Sequence, residues 1–405
     1  MPITRQAREN AALLGLRPER LELMEQRIQE YMAKDMRQAI VAKILLHGQP
    51  IYECAYGTNT KPGGVKLDTI FPMMSISKPV VAALIMCLQE DGLVDITLPV
   101  KFYLPEFDGL GKEKICLWHL LTHTSGIDQD EMYPAIDEYV KNEFGISRPS
   151  HGASEEEWIA VNNAICEKLG IDPKATEQTR ANDWRYQISL KIDMPHAPRS
   201  NMSYCSYGYQ LLKYIIDAVT GEPIDTFAQR RLFNSLGMID THWRVPEEKW
   251  PRILGRGERS MGYPWINGED QYVDESGSGG LKSTVGDMTR FCQMILNDGI
   301  LDGNRVLSKS SVGVMKTDQN QGVPCALDNK WGAWTFGWNI RAEKKDDNGV
   351  LRSPSCLCHG GWAGTKLTVD PELDFAFALF TAGYCSNDDA PVYGYLTNIL
   401  CAALE

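Results

Sequence analysis

One junction limits this chain more than any other stretch. Thr69-Ile70-Phe71-Pro72-Met73-Met74 is an apolar run with strand character, and Pro79-Val80-Val81-Ala82-Ala83-Leu84-Ile85-Met86 is an uncharged run with helical character. Between them stands Ser75-Ile76-Ser77-Lys78. A helix without charged residues is buried, so a lysine in its first turn enters the protein interior. Residues three apart share a helix face, which points Ser75 and Lys78 the same way. The helix start adds unpaired N–H groups that favour an anion. A serine with an amine beside it is the arrangement a serine nucleophile needs. A buried lysine requires a partner or a lowered pKa, and either suits proton transfer. The same spacing occurs at ordinary helix starts with a surface lysine; the uncharged run after Lys78 argues against that reading here.

Two further elements follow in chain order. Tyr204-Cys205-Ser206 lies within residues 200–212, and His359-Gly360-Gly361 lies within residues 358–365. With Ser75-Ile76-Ser77-Lys78 they resemble the three motifs of the serine β-lactamase-like superfamily. The branch they are most similar to holds the class C β-lactamases, D-aminopeptidases and family VIII carboxylesterases. His119-Leu120-Leu121-Thr122-His123-Thr124-Ser125-Gly126 and Gly279-Gly280-Leu281-Lys282-Ser283-Thr284-Val285-Gly286-Asp287-Met288 are similar to stretches common in that group. The resemblance covers most of residues 20 to 400 and thins over roughly 128 to 195.

Periodicity supplies the elements. Leu21, Leu23, Met24, Ile28, Tyr31 and Met32 predict a helix over 18–36. Residues 39–47 and 51–56 flank Gly48-Gln49-Pro50 in a hairpin pattern, and residues 365–370 and 375–381 flank Pro371-Glu372-Leu373-Asp374 likewise. A last helix runs over about 392–404. The resemblance implies an α/β (α+β) fold of the β-lactamase/penicillin-binding-protein type. In it an antiparallel sheet is flanked by the terminal helices and joined by a mostly helical subdomain. We expect the sheet subdomain at 1–74 and 256–405 and the helical one at 75–255. The site would lie in a cleft between them, with Ser75 and Tyr204 from the helical side and His359 from an edge strand. Residues 128–195 read as a lid or insert. Ile136, Tyr139, Val140 and Phe144 mark one amphipathic helix there, and Trp158, Val161, Ile165 and Leu169 another. Glu155-Glu156-Glu157 suits the first turn of the latter.

Composition narrows the function classes. With 405 residues, 43% of them hydrophobic, the chain has enough for a large core in two subdomains. A net charge of -12 and no basic run argue against nucleic acid as a partner. No apolar stretch reaches the length of a membrane span, and the charged first residues lack a signal-peptide core. The expectation is a soluble cytoplasmic protein acting on a small-molecule ester or amide. Its 11 cysteines, an odd number without a repeating spacing, are expected as free thiols, many of them in the core. Cys356-Leu357-Cys358-His359 lacks a second ligand pair at suitable spacing, so neither a metal nor a cofactor is expected.

In chemical terms, Ser75 is the candidate nucleophile and Lys78 and Tyr204 are the candidate bases. A cationic Lys78 would lower the pKa of Tyr204; a neutral Lys78 would take the proton itself. The resemblance implies Asn in the third place of the second motif, where this chain has Ser206, a shorter donor. It also implies that the N–H groups of Ser75 and Trp362 receive the oxyanion. Gly360 and Gly361 would allow close approach of the strand to substrate. His359 replaces the lysine of the K-T-G form of the third motif, and Gly360 removes its threonine hydroxyl. Both losses weaken recognition of a carboxylate and favour neutral substrates. A carboxylesterase is therefore the leading reading. An amidase, D-aminopeptidase or β-lactamase comes second; an acyltransferase or a non-catalytic scaffold follows. Arg199 is the residue placed to restore the missing charge. His119 and His123 read as scaffold remote from the motifs, and Trp331, Trp334 and Trp338 as core or pocket lining.

Overall fold

A computed structural model describes residues 5–150, 153–173, 178–325, 332–384 and 392–404. The chain divides into two compact units. One holds Met1–Leu93, Glu222–Gln321 and Ala333–Glu405; the other holds Val94–Gly221 and Gly322–Gly332.

In the first unit, β1 (Arg37–Leu46) and β2 (Gln49–Gly57) form a hairpin that turns at Gly48, whose φ of 73° needs a residue without a Cβ. Two short strands, β3 (Phe71–Pro72) and β4 (Lys282–Ser283), pair separately. The C-terminal strands are β5 (Asn339–Ile340), β6 (Leu357–Gly361), β7 (Thr365–Asp370) and β8 (Phe375–Gly383). The main sheet is antiparallel and runs β2-β1-β8-β7-β6-β5. The N- and C-terminal strands therefore share one sheet, as the resemblance implied.

Alternation along the strands decides which face is which. Ile40, Ala42 and Ile44 of β1 and Phe375, Phe377 and Leu379 of β8 form one buried face. Leu21, Met24 and Ile28 of helix Pro18–Ala33 pack on it with Leu396 and Leu400 of helix Val392–Cys401. Each such side chain contributes about 1.5–3 kcal/mol on burial. Helix Val285–Leu296 also packs against β1, β7 and β8, and every residue of β8 is buried.

The division differs from the boundaries read from the sequence. Helix Ser77–Glu90 belongs to the sheet unit because its start is tied into it. The Met73 N–H donates to the Leu281 carbonyl at 2.8 Å, and the Leu281 N–H donates to Ser77 Oγ at 3.0 Å. Residues 222–255 follow for the same reason: His242 and Lys282 exchange backbone hydrogen bonds of 3.0 and 2.8 Å. Residues 322–332 join the second unit, where the Met202 N–H donates to the Pro324 carbonyl at 2.8 Å. Hydrophobic period identifies helices but carries no record of these pairings.

The second unit is mainly helical, with helices Gln129–Phe144, Glu155–Leu169, Trp184–Ser189 and Ser206–Thr220. Both helices expected within 128–195 are present; residues 151–152 and 174–177 of that segment lie outside the described residues. Ile136 and Val140 are buried on the first helix and Ile165 on the second. The second opens with a reciprocal cap between Ser154 and Glu157. Among the described residues no helix is long and apolar enough to cross a membrane. The described cysteines are free thiols.

Candidate active site

The turn between β3 and helix Ser77–Glu90 is held on several sides. Met74 has φ 49°, a left-handed conformation uncommon for a side chain of this kind. Its neighbours hold it there: the Met74 carbonyl accepts from Ser77 Oγ at 2.7 Å, and the Met73 carbonyl accepts from Thr365 Oγ1 at 3.1 Å. The strained backbone delivers Ser75, half-buried, to the start of the helix. One turn on, Lys78 is fully buried and donates from Nζ to Ser75 Oγ at 2.9 Å and to the Ser278 carbonyl at 3.0 Å. The shared face read from the i, i+3 spacing is thus realised as a direct hydrogen bond.

The third motif lies on β6 in the same unit. Among the described residues β5 covers only Leu357 and Cys358, so from His359 onward this is an edge strand there. The His359 ring is buried, and burial together with the Lys78 charge pushes its pKa down to about 3. It is therefore neutral at physiological pH. Its Nδ1 pairs with the Gly360 carbonyl at 2.9 Å, and Trp334 meets the ring edge-on at 5.7 Å between centroids. Trp338 is core, stacked on Phe291, and Trp331 lies outside the described residues.

The two glycines are packed differently. A Cβ on Gly361 would stand 2.2 Å from the Met73 carbonyl oxygen and 2.2 Å from Thr365 Oγ1. Gly361 lets the strand press against the segment that carries Ser75. Among the described residues a Cβ on Gly360 would meet nothing closer than Lys366 Nζ at 3.5 Å. Gly361→Ala is therefore expected to cost about 1–3 kcal/mol and to displace Ser75, whereas Gly360→Ala should be close to neutral. Thermal melts with ester turnover check this; equal behaviour of the two variants would overturn it.

Trp362, after the motif, is 53% exposed and meets Trp265, 49% exposed, with centroids 6.0 Å apart. Sequence inspection singled out the backbone of Trp362 but not this aromatic pair, because Trp265 is 97 positions away and follows no recognisable pattern. Ser278, whose carbonyl holds Lys78, was missed for the same reason. It directly precedes the Gly279–Met288 stretch that carries part of the family resemblance.

Tyr204 and Ser206 belong to the second unit, where both are half-buried at the start of helix Ser206–Thr220. The Tyr204 ring packs on His123, with centroids 4.4 Å apart at 38°. The Cys205 N–H donates to His123 Nδ1 at 3.0 Å. His123 is thus in contact with the second motif rather than remote from it. His119 is scaffold: its Nδ1 accepts from the Cys116 N–H at 3.0 Å, and burial with the Arg199 charge pushes its pKa down to about 4. The Arg199 guanidinium lies over the Trp118 ring at 5.2 Å.

Comparison with known proteins gives a consistent picture. A family model described as Beta-lactamase matches residues 24–400. A Mycobacterium tuberculosis protein described as uncharacterized is 26% identical over 276 residues, which cover 62% of this chain and 60% of that protein. The N-acetylmuramyl-L-alanine amidase of Bacillus subtilis is 24% identical over 411 residues, covering 92% of this chain and 83% of the relative. Among solved structures, EstCE1, described as a hydrolase with promiscuous acyltransferase activity, superimposes with a TM-score of 0.66 at 18% identity, over 95% of this chain and 98% of the other.

Proposed function

This chain belongs to the beta-lactamase family of hydrolases, and we propose that it is a serine hydrolase working through an acyl-enzyme on Ser75, with small neutral esters as its leading substrates. The observation that carries the reading is the 2.9 Å hydrogen bond from a fully buried Lys78 to Ser75 Oγ. Lys78 or Tyr204 takes the Ser75 proton, and Oγ attacks the acyl carbon. The N–H groups of Ser75 and Trp362 receive the oxyanion. The proton then passes to the leaving alcohol as the bond from acyl carbon to alkoxy oxygen breaks. Water, deprotonated by the same groups, resolves the acyl-serine and returns a proton to Oγ. The base is assigned to the pair Lys78 and Tyr204 rather than to either residue alone. Ser206 is the proposed donor to the substrate carbonyl from the second motif.

Substrate charge follows from the third motif. His359, neutral above about pH 5, offers no cation where the K-T-G form has one. Lys366 does not replace it. It pairs across the strands with Gly360, alternation sets that pair on the face opposite His359, and its ammonium donates to Asn348 Oδ1. The loss of one charge-assisted hydrogen bond, about 1.5–3 kcal/mol, corresponds to roughly a ten- to hundredfold loss of preference for an anion. The Bacillus relative's name favours a second reading, an amidase with the same intermediate.

A short neutral ester should therefore show the higher kcat/KM against a chromogenic cephalosporin, with a ratio that does not change between pH 6 and 8 through His359. His359→Lys should narrow the ratio. A clear preference of the wild type for the cephalosporin would replace the esterase reading by the β-lactamase or peptidase one. Absence of Ser75 labelling by a fluorophosphonate would remove the enzyme reading altogether.

A further inference from the structure

Helix Ser206–Thr220 begins without a cap of its own. Its N-cap residue is Cys205, whose side chain makes no capping hydrogen bond. The first N–H groups of a helix need acceptors, and a cap residue normally supplies one. Here two side chains from elsewhere in the same unit do so. His123 Nδ1 accepts from the Cys205 N–H at 3.0 Å. Gln129 Oε1 accepts from the N–H groups of Ser206 and Tyr207, the latter at 3.0 Å. Three consecutive N–H groups, those following Tyr204, are thus held by two side chains, while the His123 ring lies against the Tyr204 ring.

The clamp is braced. His123 has φ 58°, and its carbonyl accepts from the Ser203 N–H at 2.9 Å. The Thr124 carbonyl accepts from the Arg199 N–H at 2.7 Å. Tyr209, one turn into the helix, donates from its hydroxyl to the Leu121 carbonyl at 2.8 Å. A Cβ on Gly126 would stand 2.2 Å from the His196 carbonyl oxygen, so the two segments run in close contact. Because Nδ1 accepts, the His123 proton is on Nε2.

We infer that Gln129 and His123 are positioning residues for Tyr204: they fix the backbone of the Tyr204-Cys205-Ser206 turn and with it the direction of the phenol. The inference rests on the proposed proton-transfer role of Tyr204. Gln129 is also the first residue of helix Gln129–Phe144, so the segment expected as a lid or insert begins as part of this clamp.

The test compares Gln129→Ala and His123→Phe, which remove an acceptor, with Gln129→Glu and His123→Asn, which keep an oxygen in its place. All are made in the full chain and checked by thermal melt. A misplacement of about 1 Å costs on the order of a hundredfold in rate. Gln129→Ala and His123→Phe should accordingly lower kcat on a short neutral ester by about ten- to a hundredfold with little change in KM, and the acceptor-keeping variants should regain most of it. In a Tyr204→Phe background the clamp substitutions should add little further loss. A 3-fluorotyrosine placed at 204 gives a readout independent of activity. Its 19F resonance should move in Gln129→Ala and return in Gln129→Glu, and should move in His123→Phe if Gln129→Ala fails to fold. An unmoved resonance, or a folded Gln129→Ala with wild-type kcat, overturns the clamp. A wild-type kcat in Tyr204→Phe overturns instead the role of Tyr204, and the resonance still decides the clamp.

Discussion

Ser75→Ala is expected to abolish both ester turnover and covalent labelling while the protein keeps its fold. The substitution removes only the hydroxyl that Lys78 Nζ meets at 2.9 Å. The backbone there is held by neighbours that stay: Met73 through Thr365 and Leu281, and Met74 through Ser77. Nucleophile removal leaves whatever rate the remaining site provides for direct attack by water, typically orders of magnitude below wild type. The measurement is single-turnover acylation with a chromogenic ester, beside a melt that shows the variant folded. Residual turnover near wild type in folded protein would defeat the acyl-enzyme mechanism as a whole.

Lys78→Ala is expected to have the next largest effect, a rate loss of roughly two or more orders of magnitude, the scale of positioned proton transfer. Its consequences differ from those of a surface lysine. The side chain is fully buried, and its loss leaves the Ser278 carbonyl without that donor. A stability cost of about 1–3 kcal/mol accompanies it. Tyr204→Phe should lower the rate on the same scale with little effect on folding. If the two groups act as one proton-handling unit, the double variant falls no further than the worse single one. Losses that multiply would separate their roles.

Much of this was legible in local spacing. Ser75 and Lys78 lie three residues apart on one uncharged helix, and an i, i+3 pair meets wherever that helix forms. The terminal helices and the two hairpins were legible for the same reason, since their apolar residues recur at the period of their own element. What spacing does not carry is membership of a unit and contact between distant segments. Helix Ser77–Glu90 sits with the sheet because of hydrogen bonds to Leu281, some 200 residues away. His123 and Tyr204 stand 81 positions apart in the chain, although their rings touch.

The sequence by itself therefore determined the helices from Pro18 and from Val392, the two hairpins, the order of the motifs, the serine with its amine, and the absence of a lysine before Gly360-Gly361. Each depends on residue type and on neighbours within a turn or a strand. Only the tertiary structure decided the carbonyl that holds Lys78, the neutrality of a buried His359, the need for glycine at 361 but not at 360, and the pair of side chains that clamp the Tyr204 turn. These are consequences of desolvation and of close approach between segments far apart in the chain, and both arise only once the sheet and the helices have packed.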